Sequence, residues 1–350
     1  MPVLLKNQTS GQLHASLAQA GVSPHLARRL LAAAVKRGEL PALGSDLTAR
    51  LRDDLRALTE IPHLTPVRKV VSPQDGFTKY LFEGRGTGQF EAVRIPLLHR
   101  PDDLKYVACI SSQVGCALGC AFCATGRMGF KRNLAAWEMV DQVVQMQADS
   151  PHPIRGVVFM GMGEPLLNYD AVMTAIGVLS EPCGMAIAAK AITLSTVGII
   201  PGIRRFTAER QRARLVVSLT SADPRQRREL LPVEQGNPTP DLIQALREYH
   251  AASGQRVTLA WTMMSGVNVG EVDAQRLAEL TRGLPIKLDL IDVNDPTGRF
   301  RPPSRAELEA FRDALRVTLA MPVARRYSGG QDIQADCGML APPDSTDQEV

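Results

Sequence analysis

The chain has 350 residues, of which 45% are hydrophobic and 22% are charged, close to average globular usage. This composition excludes a small disulfide-stapled fold, a fibrous repeat and wholesale disorder, and the length predicts roughly two domains. The net charge of +4 is too small to identify a nucleic-acid-binding protein by itself. The apolar runs are shorter than the roughly 18 residues of a membrane helix, and the first residues lack a signal-peptide pattern, so we expect a cytoplasmic protein without a membrane partner.

Residues 1–61 are predicted to form a small helical domain. Ser, Pro and Gly residues typical of helix starts and ends predict three helices, near residues 10–21, 23–38 and 45–58. Basic side chains on these helices are candidates for contact with nucleic-acid phosphates, although a solvated helix face is the better explanation of this pattern alone. These side chains are Arg28, Arg29, Lys36, Arg37, Arg50, Arg52 and Arg56.

Residues 62–100 change to short apolar runs separated by prolines and by the glycine-rich segment 84–88. The runs at 67–71, 77–82 and 90–95 predict a small antiparallel sheet. We expect this β extension to link the helical domain to the next domain.

From residue 101 to residue 322, apolar runs alternate with helical patterns. Predicted strands cover residues 106–110, 156–160, 192–195, 214–219, 256–261 and 286–291, and predicted helices cover 135–149, 168–180, 199–210, 225–231, 239–252, 272–282 and 304–318. This repeat predicts an α/β fold with a parallel sheet, either doubly wound or a full or partial barrel. In both cases functional residues are expected just after the strands.

Three cysteines follow the first predicted strand of this domain. Cys116, Cys120 and Cys123 have a CxxxCxxC spacing on a glycine-rich segment, and closely spaced thiolates on a loop are typical ligands of an iron–sulfur cubane. A cubane normally takes four cysteines, so three leave one iron open for another ligand. Packed core thiols, a zinc site completed by another cysteine and a fully ligated electron-transfer cluster are the alternatives, and the spacing favours the open cubane.

This motif within a (βα)6 pattern resembles the radical S-adenosylmethionine (SAM) superfamily. Three segments make the resemblance more specific: CISSQVGCALGCAFCATGRMGF at 109–130, FMGMGEPLLN at 159–168 and GGQDIQADCG at 329–338. Together they resemble the RlmN/Cfr family of radical SAM RNA adenine methyltransferases over residues 76–340. The resemblance implies a partial (βα)6 TIM-type radical SAM barrel at 101–322, a C-terminal segment at 323–340 and a short tail at 341–350.

The resemblance also implies the cofactors and their ligands. A [4Fe–4S] cluster would be held by the three clustered cysteines, and its open iron would bind SAM and reduce it to a 5′-deoxyadenosyl radical. The SAM-binding positions carried over from the family are Gly163, Glu164, Ser195, Ser218, Leu219, Thr220 and Asn294.

Three further residues carry the methyl transfer that the resemblance implies. Cys337 would be methylated by one SAM, and the radical from a second SAM would turn that methyl group into a carbon radical that adds to adenine. Cys109 corresponds to the resolving thiol, which would leave a transient disulfide with Cys337 that is then reduced by exchange. Glu91 corresponds to the proton acceptor.

The chain departs from the family pattern in three places. Thr220 and the following Ser replace His-Ala, Asp336 replaces an alanine before Cys337, and Asp295 separates Asn294 from the following proline. The departures indicate a divergent member. C2 of adenine is favoured over C8, and the choice between 23S ribosomal RNA and transfer RNA stays open.

The expected partners follow from the same resemblance. RNA phosphates are expected to contact the arginine-rich segments 204–229 and 298–327, and the target adenine must leave its stack to react. An electron donor such as flavodoxin or ferredoxin is also implied, with the protein acting as a monomer. Two alternatives remain: a radical SAM enzyme acting on a small molecule or a protein glycyl site, and a non-catalytic iron–sulfur protein that binds RNA or carries electrons.

Overall fold

The computed structural model describes residues 1–98 and 104–342. The domain boundary predicted between residues 100 and 101, and residues 343–350 of the predicted tail, lie outside the described residues. Within the described residues, no helix combines the length and the apolar content needed to cross a bilayer.

The N-terminal part contains three helices and one short parallel strand pair. Its elements are β1 (Val3–Leu4), α1 (Ser10–Leu17), α2 (Pro24–Lys36), α3 (Ala49–Leu58) and β2 (Thr59–Glu60), with β1 paired to β2. The start of α2 agrees with the prediction, because the Ser23 hydroxyl accepts the Leu26 N–H at 3.1 Å and Pro24 occupies the first helical position.

The predicted start of the third helix is wrong. The structure begins α3 at Ala49, where the Thr48 hydroxyl accepts the Leu51 N–H at 3.2 Å. The backbones of Gly44 and Leu47 bond to each other in a tight turn, which commits the intervening residues to a non-helical path. Ser and Thr are both good helix caps, so the sequence alone did not distinguish them.

The predicted antiparallel strands belong to the same sheet as the following parallel strands. They are β3 (Thr65–Val71), β4 (Thr78–Glu83) and β5 (Gln89–Leu98), and β5 pairs antiparallel with β6 (Leu104–Cys109). The resulting sheet has ten strands in the order β14-β13-β12-β11-β10-β9-β6-β5-β4-β3. The β extension is therefore continuous with the barrel wall.

Beyond β6, strands and helices alternate as the sequence predicts. The remaining elements are β7 (Gln113–Gly115), α4 (Ala124–Arg127), β8 (Phe130–Asn133), α5 (Ala136–Ala148), β9 (Ile154–Phe159), α6 (Tyr169–Ser180), β10 (Ile192–Thr196), α7 (Ile200–Ala208), β11 (Arg214–Ser218), α8 (Pro224–Leu230), α9 (Thr239–Ser253), β12 (Val257–Met263), α10 (Glu271–Leu280), β13 (Ile286–Asp292), α11 (Arg305–Leu319) and β14 (Ala324–Arg325). Strands β6 and β9 to β14 are parallel neighbours in chain order, which confirms the α/β fold.

Most of the core consists of large apolar side chains from the strands and from the helices that pack on the sheet. Phe159, Phe206 and Trp261 are fully buried or nearly so, and burial of each such side chain contributes roughly 1.5–3 kcal/mol. A smaller cluster of Val216, Ala260 and Ile291 lies apart from this core and contacts Met160. Ala260 and Ile291 line one cavity, and Val216 lines another.

Candidate active site

The first cavity, of about 170 Å³, lies at the C-terminal ends of the parallel strands. This is the end at which ligands bind in parallel α/β folds. It brings together eight of the residues singled out in the sequence. They are Cys120, Cys123, Gly163, Glu164, Ser195, Ser218, Asn294 and Cys337.

The cysteine loop is an excursion between two short antiparallel strands, β7 and β8. The Cys116 N–H donates to the Gly129 carbonyl at 3.0 Å and closes the base of the loop, and the Cys123 N–H donates to the Cys120 carbonyl at 3.1 Å. Gly115 has a φ of +72°, and a Cβ there would lie 1.8 Å from the Gly129 carbonyl oxygen. Only glycine fits this close approach of the two strands.

All six cysteines are free thiols, and the three in the loop lie close enough to influence one another. Burial and, to a lesser extent, the charge of neighbouring Cys123 raise the pKa of Cys116 to about 11. Burial also raises the pKa of Cys120, with added contributions from the charges of Cys123 and Cys116. In residues 1–98 and 104–342, no group of three His, Cys, Asp or Glu side chains is arranged around the position of a single metal ion.

Glu164 is a buried carboxylate at the end of β9 that organises the surrounding backbone. Its Oε1 accepts the Leu166 N–H at 3.0 Å, its Oε2 accepts the Val197 N–H at 3.0 Å, and only 2% of the residue is exposed. Burial raises its pKa to about 7, against the opposing effect of these N–H donors. The preceding Gly163 has a φ of +97° and packs where a Cβ would lie 2.5 Å from Gln113 Cβ.

Two predicted SAM-binding residues do not line this cavity. Leu219 and Thr220 are fully buried behind the end of β11. Thr220 has a φ of +62°, which is unusual for a β-branched residue, and its buried Oγ1 has no hydrogen-bond partner. The buried Arg227 guanidinium donates to the Leu219 carbonyl at 3.2 Å and pairs with Glu234, so the loop after β11 is fixed from behind.

The segment around Cys337 is held over the cavity by its backbone. The Cys337 N–H donates to Ser328 Oγ at 3.3 Å, and Asn294 Nδ2 lies 3.4 Å from the Cys337 carbonyl. The next carbonyl, of Gly338, accepts the N–H of Ala124 in the cysteine loop at 2.8 Å. The Cys337 side chain is exposed, so these bonds position its thiol without covering it.

A second cavity, of about 330 Å³, lies against the first and contains Cys109 and Cys337. Cys337 lines both cavities, as do Met160 and Leu340. Burial and, to a lesser extent, the charge of Cys337 raise the pKa of Cys109 to about 12, while Arg326 opposes the shift. The two cysteines that the sequence places far apart therefore face one space.

Glu91 lies beside these cavities and lines neither of them. It faces a third cleft together with Lys79, whose Nζ lies 3.1 Å from Glu91 Oε1, and its Oε2 accepts the Ala341 N–H at 3.0 Å. Burial raises the pKa of Glu91, and the neighbouring Lys79 opposes this shift. Lys79 also donates to the Gln334 carbonyl at 3.3 Å.

Sequence reasoning missed several residues that build the site. Lys79 carried no motif, and Arg227 and Arg326 were included only as parts of the arginine-rich segments 204–229 and 298–327. Met160 lies within the FMGMGEP segment, which also contains Glu164, but it was not singled out there. The others depend on contacts between distant parts of the chain.

Comparisons with known proteins agree with this geometry. Residues 110–278 match the radical SAM superfamily. A probable RNA methyltransferase from Myxococcus xanthus is 48% identical over 341 residues, covering 96% of this chain and 94% of the relative. A dual-specificity RNA methyltransferase RlmN from Syntrophobacter fumaroxidans is 41% identical over 343 residues, covering 97% of this chain and 98% of the relative. A crystal structure of a radical SAM methyltransferase from Sphaerobacter thermophilus is similar with a TM-score of 0.86 and 37% identity, covering 97% of this chain and 99% of that chain.

The fold and the cysteine-lined cavity, together with these similarities, define a radical SAM methyltransferase. The predicted resemblance, α/β fold and enzyme class are thereby confirmed. The chain belongs to the RlmN-like family of radical SAM RNA methyltransferases.

The family implies a [4Fe–4S] cluster and SAM, and the residues present fit both. Three free thiols on one glycine-rich loop match the number that an open-site cubane takes from the protein. Beside them, the cavity offers the oxygens of Glu164, Ser195 and Ser218, which suit the ammonium and hydroxyl groups of SAM. Glu164 retains acceptor capacity because a carboxylate has about four lone-pair sites and its oxygens accept two backbone N–H groups here.

Proposed function

We propose that this protein methylates an aromatic carbon of adenine, C2 rather than C8, in 23S ribosomal RNA, transfer RNA or both. The relatives named above as RNA methyltransferases support RNA as the substrate. The observation that carries the proposal is the position of Cys337, which lines both the cavity of the cysteine loop and the cavity of Cys109. A group attached to its sulfur can face either space.

In this proposal Cys116, Cys120 and Cys123 hold the cluster, and Gly163, Glu164, Ser195, Ser218 and Asn294 surround SAM. Leu219 and Thr220 are buried and do not line the SAM cavity. They help to fix the backbone after β11, where the Leu219 carbonyl accepts a hydrogen bond from Arg227. When bound, the reduced cluster and SAM together supply a carbon radical that can abstract a hydrogen atom from a methyl group. The electron comes from a donor such as flavodoxin or ferredoxin, and the protein acts as a monomer.

Cys337 carries the methyl group between the two cavities. Its thiolate takes the methyl group of a first SAM, so that a sulfur–carbon bond forms as the sulfonium–carbon bond breaks. A radical supplied from a second bound SAM would take one hydrogen atom from this methyl group, and the methylene radical left on Cys337 would bond to the adenine carbon. Two SAM molecules are therefore used in each turnover.

Glu91 and Cys109 complete the transfer. Glu91 accepts the proton displaced from the adenine carbon, and its contact with Ala341 requires that this segment shift or that a water relay the proton. The adduct also gives up one electron when it loses that proton, and this electron would return to the cluster, which is oxidised after its electron transfer to SAM. Cys109 then attacks the Cys337 sulfur, which releases the methylated base as a proton is taken up and leaves a disulfide that an external thiol reduces.

The Cys337→Ala variant tests the proposal. Holoenzyme with this change should still cleave SAM under reducing conditions and should form no methylated adenosine. Mass spectrometry of nucleosides from ribosomal and transfer RNA of a strain lacking the protein, treated with each variant, identifies the product and the RNA. Cys183→Ala, at a cysteine outside both cavities, is the matched control and should methylate normally. Product formation by Cys337→Ala would contradict the proposal.

A further inference from the structure

The inward face of the barrel carries a row of cations at the N-terminal ends of its strands, opposite the end that holds the cysteine loop. Val216 of β11 pairs with Thr258 of β12. Two residues earlier on each side, Arg214 at the start of β11 and Arg256 just before β12 therefore lie next to each other. Thr258 pairs in turn with Lys287 of β13. Because side chains alternate along a strand, all of these residues face the same side of the sheet.

These side chains line a cavity of about 640 Å³. Its charged lining residues are Arg214, Arg256, Lys287, Arg326 and Asp289. Lys287 Nζ lies 3.0 Å from Asp289 Oδ1 and is neutralised by it. Across residues 1–98 and 104–342, neither the Arg214 nor the Arg256 side chain has an ion-pair or hydrogen-bond partner.

Unpaired like charges at adjacent positions of a sheet repel each other and destabilise it. An anion bound between Arg214 and Arg256 would remove this repulsion. The guanidinium group presents paired N–H donors that match the oxygens of a phosphate, and Thr193, Thr258 and Gln255 offer further polar groups around the same cavity.

One residue, Arg326, is shared between this cavity and the site described above. Arg326 lines this cavity and also the one that contains Cys109 and Cys337. Its backbone N–H donates to the Leu290 carbonyl of β13 at 2.8 Å, which fixes it between the two spaces. The phosphates of an RNA chain whose base reaches Cys337 would therefore meet Arg326 before Arg214 and Arg256.

We propose that Arg214, Arg256 and Arg326 form a phosphate-binding track for the single-stranded RNA next to the target adenosine. The inference rests on the proposed function, because it takes RNA as the substrate. It places the track inside the barrel, at the N-terminal ends of β11 and β12, and it includes Arg256, which lies in neither arginine-rich segment of the sequence. The outward-facing arginines of those segments are not required for this track.

The test compares RNA binding by holoenzymes with matched pairs of substitutions. Fluorescence anisotropy of a labelled stem–loop RNA with an adenosine in its loop, measured over a series of KCl concentrations, gives the affinity and its salt dependence. The Arg214→Gln/Arg256→Gln variant should bind roughly tenfold more weakly, and the slope of log affinity against log salt should fall by about 0.7 for each phosphate that the variant no longer neutralises. Arg276→Gln/Arg282→Gln, at exposed positions in and just after α10, is the control and should keep the wild-type slope.

Two results would overturn the inference: an unchanged slope in the Arg214/Arg256 variant, or an equal decrease in the control. A third arm adds inorganic phosphate at constant ionic strength. If phosphate raises the melting temperature of wild type and not of the Arg214/Arg256 variant, while the variant keeps the wild-type RNA slope, the site serves a small anion and the RNA track is wrong. Methylation by wild type on RNA from the deletion strain is measured in parallel. If wild type forms methylated adenosine and the Arg214/Arg256 variant keeps the wild-type salt slope, only this inference is wrong. If wild type forms no methylated adenosine, the proposed function is wrong.

Discussion

Lys79 Nζ lies 3.1 Å from Glu91 Oε1, with 14% of the lysine side chain and 4% of the glutamate side chain exposed. Each partner also bonds to the backbone of the segment that carries Cys337: Lys79 to the Gln334 carbonyl at 3.3 Å, and Glu91 to the Ala341 N–H at 3.0 Å. The ion pair therefore holds this segment on both sides of Cys337. Lys79 acts on the thiol only through these contacts and is a positioning residue.

Replacing Lys79 by Met should slow methylation of Cys337. Glu91 would lose its cation in a buried site, which destabilises the protein by about 3 kcal/mol, and the Gln334 carbonyl would lose its donor. Mass spectrometry of the Cys337 peptide follows the methyl group over time. Lys79→Arg should recover much of the rate because it keeps the charge.

Lys69→Met is the control for this prediction. Lys69 lies on the neighbouring strand β3 and pairs with Asp149 at 2.7 Å, but its side chain is 43% exposed. Exposed ion pairs contribute little to stability, so this variant should methylate Cys337 at the wild-type rate. Equal losses in Lys69→Met and Lys79→Met would show that the ion pair has no specific role in positioning Cys337.

Replacing Cys109 by Ala should trap RNA on the protein. The proposed release step needs the Cys109 sulfur, which shares a cavity with Cys337, so the bond between Cys337 and the base would persist. A denaturing gel should show a protein band shifted by the mass of the RNA. The shift should be absent in the Cys109→Ala/Cys337→Ala double variant, and its presence there would remove Cys337 as the attachment site.

Asp336 should make stability fall as the pH rises toward neutrality. Burial raises its pKa from 3.8 to about 6, so the folded protein binds this proton more tightly than the unfolded chain does. The resulting stabilisation is fully present below the unfolded pKa and is lost as the pH rises through about 6. Asp336→Asn should therefore become more stable relative to wild type over this interval.

Urea unfolding at several pH values between about 4 and about 7 measures this difference. Asp332→Asn, at an exposed aspartate of the same segment, is the control. A constant difference in unfolding free energy between wild type and Asp336→Asn across the interval would show that burial does not shift this carboxyl.

Replacing Lys6 by Met should destabilise the junction between the N-terminal helices and the barrel. Lys6 and Asp141 form a fully buried ion pair, and the other Asp141 oxygen accepts the Leu64 N–H at 2.7 Å. Loss of the lysine leaves a buried carboxylate without its cation, at a cost of roughly 3–5 kcal/mol. The nearby His63 has its Nδ1 3.9 Å from Asp141 Oδ1, which is too far for a hydrogen bond.

Urea unfolding measures this loss, and the Lys6→Met/Asp141→Leu double variant should recover most of it because both buried charges are removed together. Lys36→Met, at an exposed position in α2, is the control and should change stability by less than about 0.5 kcal/mol. A single Lys6→Met variant as stable as the control would contradict the prediction.

The sequence by itself determined the alternation of strands and helices and the positions of the chemical motifs. Apolar periodicity reports local structure directly, so the strands from β9 to β13 lie within about two residues of their predicted ends. The spacing of Cys116, Cys120 and Cys123 likewise depends on one short loop. The wrong start of α3 arose where two residues of equal capping ability competed.

Only the tertiary structure decided which distant residues meet. Cys109 and Cys337 share a cavity because β6 and the C-terminal segment enclose the same space, and Lys79 reaches Glu91 because β4 and β5 are neighbours in a particular register. Arg214 and Arg256 lie level only because β11 pairs with β12 as it does. Register and packing are set by the sum of many weak contacts across the whole molecule, and a residue's local sequence carries almost no record of them.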